Sequence, residues 1–137
     1  MLDLEGLVHL SASDISAIHD IIIDKDGGLR GARPDLSVDA LVGRIQANLT
    51  YQKYDSIGEV AALYAEVIAR GHVFLDGNKR TALLSMLQFL DQNGCSTSAD
   101  PIGLADMIIA LAEGKSNHRQ FAVWLESKLA ATLDDLP

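Results

Sequence analysis

The stretch from Lys79 to Gln92 constrains the fold more than any other part of this sequence. Its apolar residues do not follow a single stripe but go round the whole predicted helix: Ala82, Leu83, Leu84, Met86, Leu87, Phe89 and Leu90. A helix that is apolar on every face must be surrounded by protein. We therefore expect the helix over residues 79–92 to be buried at the centre of the fold.

Helical periodicity also dominates the rest of the chain. Apolar residues about 3.6 positions apart predict further helices over 13–24, 37–47, 59–70, 101–113 and 117–131. Asp100 and Pro101 match a helix cap followed by proline, and Gly94 matches the left-handed residue that ends the 79–92 helix. Turn residues fill Asp24–Pro34, and Asn48–Ser56 is expected to be a loop or a short flap. The sequence thus predicts an all-α fold, a compact helical bundle.

The composition narrows the class of protein. A chain of 137 residues is long enough for one ordinary core, so we expect a single domain over residues 1–137. The net charge of −8 argues against direct nucleic acid binding, which needs clustered lysine and arginine. No run approaches the roughly 20 apolar residues of a membrane span, and the first residues do not match a signal peptide. With Cys95 as the lone cysteine, we expect a cytoplasmic protein without a membrane partner.

The reactive side chains concentrate in "HVFLDGNKR", His72 to Arg80, immediately before and within the start of the apolar helix. The first backbone N–H groups of a helix have no partners inside the helix, and the helix dipole makes that end positive. Such an end binds anions, above all phosphate. Gly77 allows close approach to the backbone, and Lys79 and Arg80 add two positive charges. The pattern predicts a phosphate site.

Two further groups beside this site suggest chemistry. Asp76 is placed as a magnesium ligand, because Mg²⁺ takes one or two carboxylates together with phosphate oxygens. His72 is the side chain here that titrates near neutrality, which suits a general base. Taken singly, each feature has an ordinary explanation: a capped histidine, a turn, a solvated helix face. Their concentration within nine residues favours a functional site, with Phe74 packing inward as the anchor of the loop.

Residues 72–80 resemble the H-x-F-x-[DN]-[AG]-N-K-R signature of the Doc toxins, the death-on-curing branch of the Fic fold. The resemblance continues upstream through "GGLRGARPDLSVDALVGRIQ" and downstream through "TALLSMLQFLDQNG". Fic relatives that transfer AMP carry H-P-F-x-[DE]-G-N-G-R-x-x-R instead. This chain departs from that pattern at Val73, Lys79 and Leu83, and the last two departures are those expected of Doc.

The resemblance implies a Fic-fold kinase that is the toxin of a type II toxin-antitoxin system. Such a kinase moves the γ-phosphate of ATP, with Mg²⁺, to a threonine of elongation factor Tu and so inhibits translation. Carried over by position, His72 is the base and Asp76 binds Mg²⁺. Gly77 and Asn78 form the anion cradle, and the phosphates are held by Lys79 and Arg80.

Two alternative functions stay open, and a protein partner is expected. The chain is alternatively a Fic-type AMP or other nucleotidyl transferase, or a non-catalytic binding module that retains the fold. An inhibitory [ST]-x-x-x-E-[GN] motif is not visible, because Ile109 stands where Ser or Thr is needed before Glu113-Gly114. A toxin without restraint in its own chain needs a partner, and the family implies an antitoxin of the Phd type.

Overall fold

A computed structural model describes residues 4–131 of the chain, and it is built almost wholly from helices. A short 3-10 helix over Leu4–Gly6 is followed, in chain order, by α1 (Ala12–Asp26), α2 (Val38–Tyr51), α3 (Ile57–Gly71), α4 (Asn78–Gln92), β1 (Cys95–Thr97), α5 (Pro101–Ala112), α6 (His118–Glu126) and β2 (Leu129–Ala131). The predicted all-α class is confirmed. Within these described residues, no helix combines the length and the apolarity needed to cross a membrane.

Short polar side chains start most of the helices. Ser11 accepts from the Asp14 amide while the Asp14 carboxylate accepts from the Ser11 amide, a complete capping box at α1. The other residues that cap a first turn through a side-chain oxygen are Ser37 for α2, Ser56 for α3, Asp100 for α5 and Asn117 for α6. Among the described α-helices, α4 alone has no side-chain cap, because its N-cap residue is Gly77.

The helix at the centre of the bundle is α3, which corrects the expectation that residues 79–92 form it. α3 packs against α2, α4, α5 and α6, and most of its residues are buried. α4 is buried on the side that carries Met86 and Phe89, but Leu84 on its outer side is 41% exposed. α1 packs against the outer side of α4 but does not cover Leu84, which lies at the surface beside α1. The helix over 79–92 therefore forms as predicted, beginning at Asn78, without being enclosed.

Two predicted boundaries were wrong. Residues 48–51 continue α2, so the predicted flap over 48–56 shrinks to a loop from Gln52 to Ser56. The side chains of Asn48 and Thr50 donate to the carbonyls one turn earlier, so both polar residues are accommodated at the end of α2.

The last helix also ends earlier than predicted. It ends at Glu126 instead of continuing to residue 131, and Leu129–Ala131 is a strand antiparallel to Cys95–Thr97. The backbone N–H and C=O groups of this segment are therefore paired with the facing strand instead of within a helix. The two strands close the end of the bundle that lies at the C-terminus of α4.

Candidate active site

The residues singled out from the sequence line one cavity of about 360 Å³, at the junction between the end of α3 and the start of α4. All six predicted site residues contribute to its wall: His72, Asp76, Gly77, Asn78, Lys79 and Arg80. Ala69, Leu75 and Ala112 complete the lining. The structure therefore brings the predicted residues together, in a mainly polar opening beside the N-terminus of α4.

His72 ends α3 in an unusual backbone conformation. Its φ of 49° and ψ of 35° lie in the left-handed region, and within residues 4–131 it is the one non-glycine residue with a positive φ. Its carbonyl accepts a hydrogen bond from Nε of Arg33 at 2.7 Å. A left-handed backbone is unfavourable for a residue with a side chain and persists where the surroundings hold it, often at functional sites. No pattern in the sequence predicts this conformation.

A strap from the connection between α1 and α2 holds the segment that follows His72. The amide of Arg33 donates to the carbonyl of Val73 at 2.7 Å, and the amide of Leu75 donates to the carbonyl of Gly31 at 3.2 Å. These bonds form a short antiparallel bridge centred on Ala32 and Phe74. This strap, residues 31–33, is the extended segment paired with the 73–75 backbone.

Asp76 faces the cavity with a fixed carboxylate. One of its oxygens, Oδ2, accepts from the amide of Leu29 at 2.7 Å. No group of three or more histidine, cysteine or acidic residues in the described chain is arranged to hold a metal ion. A lone carboxylate fits Mg²⁺ that arrives with a nucleotide, because that ion takes most of its ligands from phosphate and water. The donor set is therefore compatible with a nucleotide-borne ion.

Asn78 closes the loop that carries Asp76. Its Oδ1 accepts from the amide of Phe74 at 3.1 Å, and its Nδ2 donates to the carbonyl of the same residue at 2.9 Å. The side-chain amide is thus committed to the backbone of Phe74, which is itself buried as predicted. Asn78 therefore fixes the shape of the anion site but does not bind the anion through its side chain. The groups that remain to bind an anion are the backbone N–H groups at the start of α4.

The start of α4 has the properties of an anion site. Gly77 has a φ of 78° and no side chain, so it provides no oxygen to cap the first-turn amides. The first-turn amides and the positive end of the dipole therefore meet the cavity without a side-chain acceptor in place. The other α-helices that the structure describes each have such an acceptor.

The two cations at this end have different surroundings. Arg80 is half exposed, and its Nη1 lies 3.2 Å from Oδ2 of Asp26 at the end of α1. Lys79 is exposed, and its charge reaches Glu113, just after α5. The pKa of Glu113 is lowered chiefly by a hydrogen bond from Lys115, then by the charge of Lys115, with Lys79 adding a smaller effect. Of these two cations, Lys79 is therefore the one without a salt bridge among the described residues.

His19 is the functional neighbour that sequence reasoning missed. It is 1% exposed, and its ring is stacked on Phe74 with centroids 3.9 Å apart. Its Nε2 lies 2.7 Å from the carbonyl oxygen of Asp76. The only signal in the sequence was a histidine on the apolar face of a helix, four residues after Ile15 and three before Ile22.

Comparison with known proteins shows the family that this chain resembles. A model of the Fic/DOC family matches residues 9–90, which include α1 to the body of α4 and the whole of the 72–80 segment. The chain is also 41% identical over 107 residues to Protein kinase doc of Escherichia phage P1, an alignment that covers 78% of this chain and 84% of that protein.

The chain belongs to the Fic/DOC family.

A second Fic/DOC relative is Toxin Doc of Mycolicibacterium smegmatis, 39% identical over 64 residues that cover 46% of this chain and 49% of that protein. The family match spans the elements that supply nearly all of the cavity wall. Ala112, from α5, lies beyond the matched residues and closes the cavity opposite α4.

Proposed function

We propose that this Fic/DOC protein is a kinase toxin that transfers the γ-phosphate of ATP to a hydroxyl group of a protein. One observation carries the proposal: the N-terminus of α4 has no side-chain cap and opens into a cavity that also contains His72 and Asp76. Fixed N–H donors and cations at one end suit a triphosphate. The name of the phage relative, Protein kinase doc, supports the same activity.

In the proposed reaction the hydroxyl oxygen of the target attacks the γ-phosphorus. A new oxygen–phosphorus bond forms, the bond between the γ-phosphorus and the β–γ bridging oxygen breaks, and ADP leaves with that oxygen. His72 takes the proton of the attacking hydroxyl. Its exposed side chain at the mouth of the cavity suits a base that must meet a macromolecular substrate.

The other residues act on the phosphates. Asp76 is the ligand for Mg²⁺, which when bound neutralises charge on the β- and γ-phosphates. The amides at the start of α4, including that of Gly77, contact the phosphate oxygens. Lys79 and Arg80 stabilise the negative charge as the phosphoryl group moves. Asn78 keeps the loop closed around this arrangement.

Phosphate transfer is favoured over AMP transfer by two positions. Lys79 stands where the AMP-transferring pattern has glycine, and Leu83 stands where that pattern has a second arginine. Leu83 packs against the core and brings no charge to the phosphates. No feature of the described residues favours the non-catalytic alternative, because all six predicted site residues line the cavity.

The family also supports a proposal for the target and for the partner. We propose a threonine of elongation factor Tu as the acceptor, so that phosphorylation inhibits translation in the cytoplasm. We also propose an antitoxin of the Phd type, as expected of the type II system that the name Toxin Doc suggests. A short neighbouring gene whose product relieves growth arrest on co-expression is the expected genetic sign, and a lone gene whose product is harmless contradicts it.

The decisive test is incubation of the protein with ATP, Mg²⁺ and elongation factor Tu, followed by intact mass measurement. We expect a phosphate-sized gain on elongation factor Tu with the wild type and no gain with His72→Ala. His9→Ala is the matched control, because His9 packs on Tyr64 and Phe89 and does not line this cavity. A gain the size of AMP supports nucleotidyl transfer instead, and the absence of any gain contradicts both enzymatic proposals.

A further inference from the structure

We propose that His19 is a positioning residue that holds the peptide between Asp76 and Gly77 in the one orientation that presents the Gly77 N–H group to the phosphates. The inference rests on the proposed nucleotide site at the start of α4. His19 belongs to α1 and is almost completely buried. It reaches the active-site loop from behind, on the side away from solvent.

The hydrogen bond from His19 fixes its tautomer. A carbonyl oxygen can only accept, so the 2.7 Å contact between Nε2 and the Asp76 oxygen requires the proton on Nε2. The other ring nitrogen, Nδ1, lies 4.0 Å from a carboxylate oxygen of Asp20, beyond hydrogen-bond distance. The ring is also clamped, because it lies parallel to Phe74 within 8°. His19 is therefore a donor of fixed direction.

The orientation of one peptide group decides what the phosphates meet. In a trans peptide the C=O and N–H bonds point in opposite directions. Because the carbonyl of Asp76 points to His19 in the interior, the N–H of Gly77 points the other way. If this peptide rotated by half a turn, a carbonyl oxygen would face the anion instead of a donor. That exchange would convert an attractive contact into a repulsive one.

Glycine itself does not select between these two orientations. Gly77 has a φ of 78°, and a glycine populates positive and negative φ almost equally. We assign the selection to His19, which donates to this carbonyl from outside the loop and lies against Gly77: a Cβ added there would meet Cδ2 of His19 at 3.7 Å. The anion site thus depends on a residue 57 positions away in the chain.

The test separates the hydrogen bond from the packing. His19→Phe keeps a ring on Phe74 but removes the donor, whereas His19→Gln keeps a donor and removes the ring. We expect His19→Phe to bind Mg²⁺-ATP about tenfold more weakly, the factor expected for one net hydrogen bond, and His19→Gln to stay within about threefold of the wild type. His9→Phe, which removes a histidine hydrogen bond to Tyr64, should bind as the wild type does.

Nuclear magnetic resonance supplies readouts that do not depend on activity. In the wild type, the Gly77 amide should shift when Mg²⁺-ATP is added, and the His19 ring should carry its proton on Nε2. In His19→Phe the shift of the Gly77 amide should be largely lost. A folded His19→Phe protein with the wild-type affinity and the wild-type Gly77 response overturns the inference.

The wild type alone can also overturn the inference, should His19→Phe fail to fold. Two results contradict the proposed orientation: a His19 ring with its proton on Nδ1 and none on Nε2, or a Gly77 amide signal that does not shift at saturating nucleotide. The result also distinguishes this inference from the proposed function. If the wild type binds nucleotide through Gly77 but transfers no phosphate, the proposed kinase activity is wrong while the positioning role of His19 is retained.

Discussion

The Nδ1 atom of His118 lies 2.9 Å from a carboxylate oxygen of Glu66, and this pair joins the start of α6 to the middle of α3. The backbone amide of His118 also donates to Glu66, at 3.0 Å. Burial opposes the ionisation of Glu66, but the hydrogen bond and charge of His118, followed by the charge of Arg70, outweigh it and lower the pKa of Glu66. The carboxylate is therefore ionised in the folded protein at neutral pH.

This pair predicts a specific loss of stability in acid. A carboxyl group whose pKa is lowered by folding stabilises the protein above its unfolded pKa and ceases to do so as the pH falls through its folded pKa. Glu66→Gln should lower the free energy of unfolding at neutral pH by about 2 kcal/mol, because an NH₂ group replaces one of the two carboxylate oxygens that accept from the part-buried His118. The loss should shrink as the pH falls below 4.5, the ordinary pKa of the group.

Denaturant unfolding of both proteins across that pH range measures the effect. The control is Asp106→Asn, which neutralises an exposed carboxylate on α5 and should leave the pH profile unchanged. Parallel profiles for the wild type and Glu66→Gln would show that Glu66 has no role in the acid response.

Asn78→Ala should loosen the active-site loop. The substitution removes both hydrogen bonds to the backbone of Phe74. We expect a loss of about 2 kcal/mol in the free energy of unfolding and faster hydrogen exchange at the Phe74 amide, because a part-buried backbone pair loses its partner. Asn48→Ala removes an exposed bond on α2 and should cost less than about 1 kcal/mol. Equal losses in both variants contradict the bracing role.

The contrast between Asn78 and His19 shows how far the sequence could lead. The phosphate site was predictable because its physics is local: a glycine, two cations and a helix start lie next to one another in the chain. The contribution of His19 was not, since it depends on tertiary contacts across 57 positions. No spacing rule connects the apolar face of α1 with the carbonyl of Asp76.

The misplaced centre of the fold has a similar cause. The buried positions of α3 include Ala61, Ala62, Ala65 and Ala69, all fully enclosed. Small side chains allow neighbouring helices to approach closely, but they carry little hydrophobic signal in a sequence. The large residues of α4 carry a stronger signal, and Leu84 among them is exposed. Close packing, rather than total hydrophobicity, determined which helix is central.

Gly77→Ala should weaken nucleotide binding more than it weakens the fold. A Cβ at Gly77 would find ordinary contacts, the nearest at 3.6 Å, so the main cost to folding is the left-handed backbone, about 1 kcal/mol. Gly114→Ala is a matched control, because its φ of 75° is nearly the same and a Cβ there would meet open space. Thermal unfolding should show similar losses for the two variants.

Titration with Mg²⁺-ATP should then separate them. Only Gly77→Ala adds a methyl group at the proposed phosphate contact, so only this variant should lose affinity, by about tenfold or more. A comparable loss of affinity in Gly114→Ala would attribute the effect to general destabilisation.

Asp26→Asn should make nucleotide binding tighter. The carboxylate of Asp26 is paired with Arg80 near the surface, and such a pair contributes little to stability, less than about 1 kcal/mol. Removing it frees the guanidinium for a phosphate, so we expect affinity for Mg²⁺-ATP to rise about threefold at low salt and less at high salt. Asp24→Asn, which removes one of the two carboxylates paired with Arg30, should have little effect. Weaker binding in Asp26→Asn would show that Asp26 orients Arg80 for the nucleotide.

The left-handed backbone of His72 has a consequence for how such a gene would decay. Glycine adopts positive φ about as readily as negative φ, so replacing His72 by glycine relieves strain rather than adding it. Under the proposed function, loss of toxicity through a change at codon 72 need not pass through a misfolded product. A harmless descendant with glycine at position 72 would persist as a folded protein.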